Sequence, residues 1–261
     1  MTMPLQQNEP EQTFWDHLEV LRWTLVRVAV VIVSVTIVMF MVMPYLFDRF
    51  IMAPTTNDFF MYRWLEEASG ELFNFTDDFA VQIINIHVAS QFFTHVSTSV
   101  SMALVVSFPY VVYELWRFVK PALFAHELRH VRAVFVGGTL MFYLGCLLAY
   151  CLVFPFCFRF LTEYELSASI HNQIDLSSYI GNFTMLILFM GLVFELPLVA
   201  WLLSCLGLVD QTFLRKYKSH AVVLLMVLSA VITPSGDPFT MLLIAIPLYL
   251  LYELSIWVVR K

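Results

Sequence analysis

Two places in this 261-residue chain hold residues at spacings that could do chemistry. The first is His126-Glu127-Leu128-Arg129-His130. On a helix, H-E-x-x-H turns both imidazoles to one face as zinc ligands and leaves the Glu as general base, which would make an intramembrane metalloprotease. The surroundings oppose a cation. Arg117, Lys120, Arg129 and Arg132 crowd the same segment, and the other acids of interest, Glu195 and Asp237, belong to distant segments. Without metal, Glu127 is an acid in a basic loop, a natural receiver for a guanidinium. The second place is Glu195, inside the apolar run Leu186–Leu198. A carboxylate in a membrane span costs about 2.5–3.5 kcal/mol, so such acids are functional by default. Glu195 could couple ions to small-solute transport, hydrogen-bond a partner's helix, or bond within the chain to a helix carrying Tyr249 or Gln91. Pro197 frees the Val193 carbonyl, which lets the helix bend around the acid. Cys146, Cys151, Cys157 and Cys205 lie in apolar stretches without C-x-x-C spacing and read as small core hydrophobes.

The elements that must position these residues follow from composition. Hydrophobic residues make up 60% of the chain and charged residues 13%, with mean hydropathy +0.79. Soluble domains carry roughly 45–50% apolar and about 25% charged residues. A soluble monomer and a disordered chain are both excluded. The apolar runs are continuous rather than alternating, which favours helices over a barrel. They predict an all-α integral membrane protein with one domain and six spans, near 23–45, 92–112, 133–154, 183–206, 219–233 and 238–257. The apolar parts of the last two, Ala221–Ile232 and Phe239–Tyr252, cover only about 18 and 21 Å at 1.5 Å per residue, against a hydrocarbon layer of about 30 Å. Both final helices are therefore expected to be short, with either flanking residues completing the spans or the bilayer thinning locally, and to be joined by a tight turn at Thr233–Pro238. Eleven Lys and Arg fall on the side of the termini and three (Arg49, Arg63, Arg159) on the other, which puts both termini in the cytoplasm. The first outer loop, 46–91, holds seven acids and is expected to carry a short surface helix near Tyr62–Phe73. Residues 1–21 have no signal-peptide pattern. With no nucleotide-binding motif and no implied cofactor, transport work must come from an ion gradient or from partners.

Several segments, in order, resemble the TatC family, the multispanning receptor subunit of the twin-arginine (Sec-independent) protein translocase. They are Phe14-x-x-His17-Leu18-x-x-Leu21-Arg22; Val88-Ala-Ser-x-Phe-Phe-Thr94; Pro109, Tyr113, Trp116, Phe118, Pro121-Ala122-Leu123 and Glu127; Phe142-x-x-Gly145 through Phe154-Pro155; Phe194-Glu195-x-Pro197; and Thr233-Pro234, Asp237, Ala245-Ile246-Pro247 and Glu253. The resemblance covers about 12–50 and 85–260. It implies a non-enzymatic receptor in a bacterial cytoplasmic (inner) membrane, without metal. Such a receptor binds twin-arginine signal peptides of folded precursors and works with single-span TatA/TatB-type subunits and the proton motive force, as a homo-oligomer within a larger complex. It implies that Phe118 and Glu127 read the paired arginines, with Glu19 and Arg22 in the amino-terminal motif, and that Glu195 and Asp237 form a polar site for a partner's transmembrane helix. The sequence departs from the family where an acid is expected three residues after His17: that position is Val20, and Glu19 stands one residue earlier. Thr24 replaces a second arginine, Gln91 a frequent proline, and one extra residue precedes Asp237.

Overall fold

The structure is a computed structural model that describes residues 14–69, 79–119, 131–164, 166–167, 172–233 and 236–259. Helix α1 runs Phe14–Leu46, and the short α2 follows at Phe60–Ser69. Helix α3 is Ser90–Val119. Helices α4 (Val131–Leu148) and α5 (Phe154–Glu163) are joined by a π-helical turn, Ala149–Val153, into one rod. Helices α6 (Leu176–Val193) and α7 (Leu196–Cys205) form a second broken rod. The short α8 (Gln211–Lys216) leads into α9 (Lys218–Ile232) and α10 (Pro238–Val258). Five of these rods are long and apolar enough to cross a membrane, and α9 is a shorter apolar helix. The chain is thus an all-α integral membrane protein with six membrane helices. The described residues depart from helix only in loops and in one tiny parallel pair, β1 (Ile83–Ile84) on β2 (Ile174–Asp175).

Each long helix outruns its apolar stretch. Helix α1 has 33 residues, about 50 Å at 1.5 Å each, so its first turns project beyond a 30 Å hydrocarbon layer. The third span continues to Glu163 and the fourth begins at Leu176, because the polar flanks carry helix beyond 154 and before 183. The expectation of two short final helices holds for α9, with 15 residues. It needs correction for α10, which has 21: the apolar run Phe239–Tyr252 is short, but helix persists through Glu253 and Trp257. The outer helix lies at Phe60–Ser69 rather than Tyr62–Phe73, the latter's end falling outside the described residues.

Prolines explain much of the helix-to-helix fit. Pro44 lacks an N–H, so the carbonyl of Phe40 loses its helical donor. His95 of α3 supplies one: its Nε2 lies 2.9 Å from that oxygen, and its ring stacks on Phe40 at 3.9 Å. A carbonyl only accepts, so His95 carries its proton on Nε2. Pro109 likewise frees Val105, whose carbonyl takes the Tyr143 hydroxyl of α4 at 3.3 Å. In lipid no water can meet a freed carbonyl, so a neighbouring helix must. Elsewhere α4 and α6 approach backbone to backbone: a Cβ on Gly145 would sit 2.7 Å from the Met190 carbonyl. The four cysteines are buried and free, as expected of small core residues.

The end of the bundle away from the N-terminus is clamped by tyrosines. After Leu46 the chain leaves α-helix for a π turn at Phe47–Ile51 and a 3₁₀ turn at Ala53–Thr55. Tyr150 donates to Phe50 O at 2.9 Å and Tyr179 to Ile51 O at 2.6 Å. Tyr62 reaches Pro155 O at 3.2 Å. The cation of Arg159 lies over the rings of Tyr62 (5.5 Å) and Phe79 (4.8 Å) and bonds Glu163 at 2.5 Å. The 46–91 connection is thus a packed cap over much of its described length. At the opposite end, Gln211 donates to Ile256 O, Tyr252 to Leu214 O, and Lys218 pairs with Glu253, which docks α8 and α9 on α10.

Candidate functional site

Two sites emerge, on opposite sides of α3. The first lies at the N-terminal end of the bundle. Glu19 and Arg22 are neighbours on the first described turns of α1, 3.7 Å apart and largely exposed; the Arg22 guanidinium also lies over the Trp23 ring at 5.6 Å. Glu19, Val20, Trp23 and Arg27 of α1 face Arg117 of α3 across a hollow of about 380 Å³. Phe118 is the next residue along, half-buried on the last turn of α3. The structure therefore brings Glu19 to the end of α3, at Arg117, with Arg22 beside it on α1. Glu127 and the whole His126–His130 motif lie outside the described residues. Among the described residues, no three His, Cys, Asp or Glu side chains are placed to hold a metal ion.

Under this hollow lies a residue that the sequence reading passed over. Glu114 is 2% exposed. Arg27 reaches it from α1 as a fork, Nε at 3.1 and 3.2 Å and a terminal nitrogen at 2.9 Å. Tyr110 donates its hydroxyl at 3.1 Å, and Arg117 stands 3.8 Å away. Thr24 accepts from Arg27 at 3.1 Å. Bidentate pairing of this kind is among the strongest polar contacts a side chain makes. The signals were present: Tyr110 and Arg117 stand at i−4 and i+3 from Glu114, both on its helix face. Arg27 had been counted only as a topological charge.

The second site is Glu195. Helix α6 stops at Val193 and α7 resumes at Leu196, with Pro197 in its first turn. The acid sits in this break, 9% exposed. Among the described residues, neither carboxylate oxygen has a hydrogen-bond partner. Tyr249 bonds Glu253 instead, at 2.8 Å, and Gln91 lines a separate hollow with Asp48 and His95, so the in-chain partners expected from sequence are not there. Glu195 forms one wall of a cavity of about 330 Å³ otherwise lined by apolar groups, including Phe108, Val112, Trp116, Leu198 and Leu202. Gly138 of α4 lets the acid pack close: a Cβ there would lie 3.1 Å from Glu195 Oε2 and 2.7 Å from Leu198. An unpartnered buried acid costs stability, and a cavity beside it gives a ligand or partner room to meet it. Asp237 is not part of this site. It caps α10 at the other end, accepting from Thr240 N at 2.8 Å and Thr240 Oγ1 at 2.5 Å, the usual duty of an N-cap aspartate.

The described residues thus form a polytopic helical membrane protein with a buried acid against a cavity and an acid–arginine patch at one end. Comparison with known proteins narrows this. The family model for the Sec-independent protein translocase protein (TatC) matches residues 16–247. The Sec-independent protein translocase protein TatC of Blattabacterium (strain BPLAN) is 32% identical over 262 residues, covering 97% of each chain; that of Escherichia coli K12 is 34% identical over 178 residues, 68% of each. A crystal structure of the twin-arginine translocase receptor TatC superposes with TM-score 0.73 at 28% identity, covering 93% of this chain and 97% of that one. A second, in DDM, gives 0.76 at 27% identity, covering 94% and 100%. The chain belongs to the TatC family of Sec-independent protein translocase proteins. It is a translocase component and not an enzyme.

Proposed function

We propose that this chain is the signal-peptide receptor of a twin-arginine translocase, with Glu127, Phe118, Glu19 and Arg22 as its reading patch. The observation that carries this is the family match over residues 16–247; the hollow that sets Glu19 beside the end of α3 supports it. The chemistry suits the task. Arginine is planar, permanently charged and forked, so carboxylates recognise it in a way lysine cannot copy. The precursor is held at this patch, and Glu195 meets the transmembrane helix of a single-span TatA/TatB-type subunit in the lateral cavity. Several copies assemble in a larger receptor complex, and the proton motive force supplies the work, since no nucleotide site is encoded. The membrane is the bacterial inner membrane, with both termini in the cytoplasm.

Binding to purified protein tests the reading. A peptide with paired arginines should bind, its Lys-Lys counterpart should bind far more weakly, and Glu127→Gln should remove most of the difference. Equal binding of the two peptides would overturn it. Orientation has a separate test. Gln82→Cys should react with an impermeant thiol reagent added outside intact cells, whereas Thr212→Cys should react only after the membrane is opened.

A further inference from the structure

Glu114 has no part in the reading patch named above, yet it already displays the contact that such a receptor must make. A fork from Arg27 takes both carboxylate oxygens, and a second guanidinium, Arg117, waits at 3.8 Å. Two arginines from the chain itself surround one buried acid. On the open side of Arg27 is the hollow of about 380 Å³ that Glu19, Val20, Trp23 and Arg117 complete. Arg27 is 36% exposed, whereas Glu114 is 2% exposed, so the arginine can swing into the hollow while the acid stays put. We propose that Arg27 is a resident competitor: it masks Glu114 at rest, and an incoming signal-peptide arginine replaces it on that carboxylate. This rests on the receptor reading and adds a specificity-determining pair to it.

The exchange is balanced. Guanidinium leaves and guanidinium arrives, so Glu114 is charged and paired in both end states, and the large penalty for a stranded buried charge is avoided. Arg27 meanwhile moves from a part-buried pair to an open hollow beside Glu19, a second acid. The same balance explains discrimination. A lysine would have to displace a forked, two-bond contact with a single-point cation. The resident arginine thus sets a threshold that only another arginine clears, which is selectivity by exclusion as well as by attraction.

The test compares the affinity of full-length purified protein for paired-arginine and paired-lysine peptides. Unmasking should tighten binding: if Glu114 is free about one time in ten at rest, Arg27→Gln improves apparent affinity about tenfold. It should help the lysine peptide more than the arginine peptide, because the threshold is gone. Glu114→Gln should weaken arginine-peptide binding, and Arg27→Gln should give no gain when Glu114→Gln is already present. Should Arg27→Gln fold poorly, Arg27→Lys keeps a charge, weakens the fork and should give a smaller gain of the same sign. If these Arg27 variants bind equally or worse, and Glu127→Gln still removes the preference for the arginine peptide, the pair is only a tie between helices: this proposal fails and the receptor reading stands. If the wild-type chain cannot tell arginine from lysine peptides, both fall together.

Discussion

Glu114 and Glu195 are the same residue in the same bundle, nearly equally hidden, and their circumstances are opposite. Helix α3 divides them. Val112, Trp116 and Val119 turn one face to the Glu195 cavity. Tyr110, Glu114 and Arg117 turn the other face to α1, where Arg27 waits. Glu114 has donors from both helices; among the described residues Glu195 has none. A satisfied buried acid ties elements together. An unsatisfied one costs stability and is kept for what it meets later. Removing Glu195 should therefore cost function and no stability, whereas removing Glu114 should cost stability along with the peptide binding proposed for it.

The sharpest break of this contrast is at Glu195. Glu195→Leu should abolish export while raising the unfolding midpoint in detergent, since an apolar side chain suits the cavity better than an unpaired acid. Glu195→Gln should keep much of the export, because a hydrogen bond at depth requires a polar group and no charge. If Gln is as inactive as Leu in a protein that still folds, titration matters and proton coupling through Glu195 gains the case. At Glu114 a loss of stability is expected beside the loss of peptide binding. Glu114→Leu strands Arg27 and should lower unfolding free energy by roughly 2 kcal/mol, toward the low side for a broken buried pair because Arg27 reaches solvent. A stability gain there would erase the distinction between the two acids. The smallest effect is at Asp237. As an N-cap, Asp237→Ala should cost about 1 kcal/mol and Asp237→Asn only a few tenths. Export that fails with Asn, at unchanged stability, would return Asp237 to the functional residues.

The same contrast explains what could be read from the residues alone. Six spans were legible because lipid imposes long apolar runs, and Glu195 because an acid inside such a run is conspicuous. Glu114 lies near a helix end among Tyr113, Trp116 and Arg117, where an acid looks like an ordinary interfacial charge; its partner on α1 is 87 residues away. The bounds of α10 were legible as 238–257, and only its description as short failed, because hydropathy reports the apolar core of a helix and says nothing of polar turns that continue it. The cap over 46–91 escaped for a related reason. Its hydrogen bonds run from Tyr62, Tyr150 and Tyr179 to backbone carbonyls, and carbonyls leave no trace in a sequence.

The pairing of Pro44 with His95 bears on how the chain is made. When α1 first enters the bilayer, the Phe40 carbonyl has lost its helical donor and His95 has yet to be synthesised. Fifty-five residues separate the two, so at about 5–20 residues per second the ribosome needs roughly 3–11 s to deliver the missing donor. During that interval α1 holds an open hydrogen-bond acceptor facing hydrocarbon. It gains by staying beside the insertion machinery, or beside water at the membrane edge, until α3 arrives to close it. The arrival also fixes register, because only one vertical setting of α3 brings the imidazole level with that oxygen.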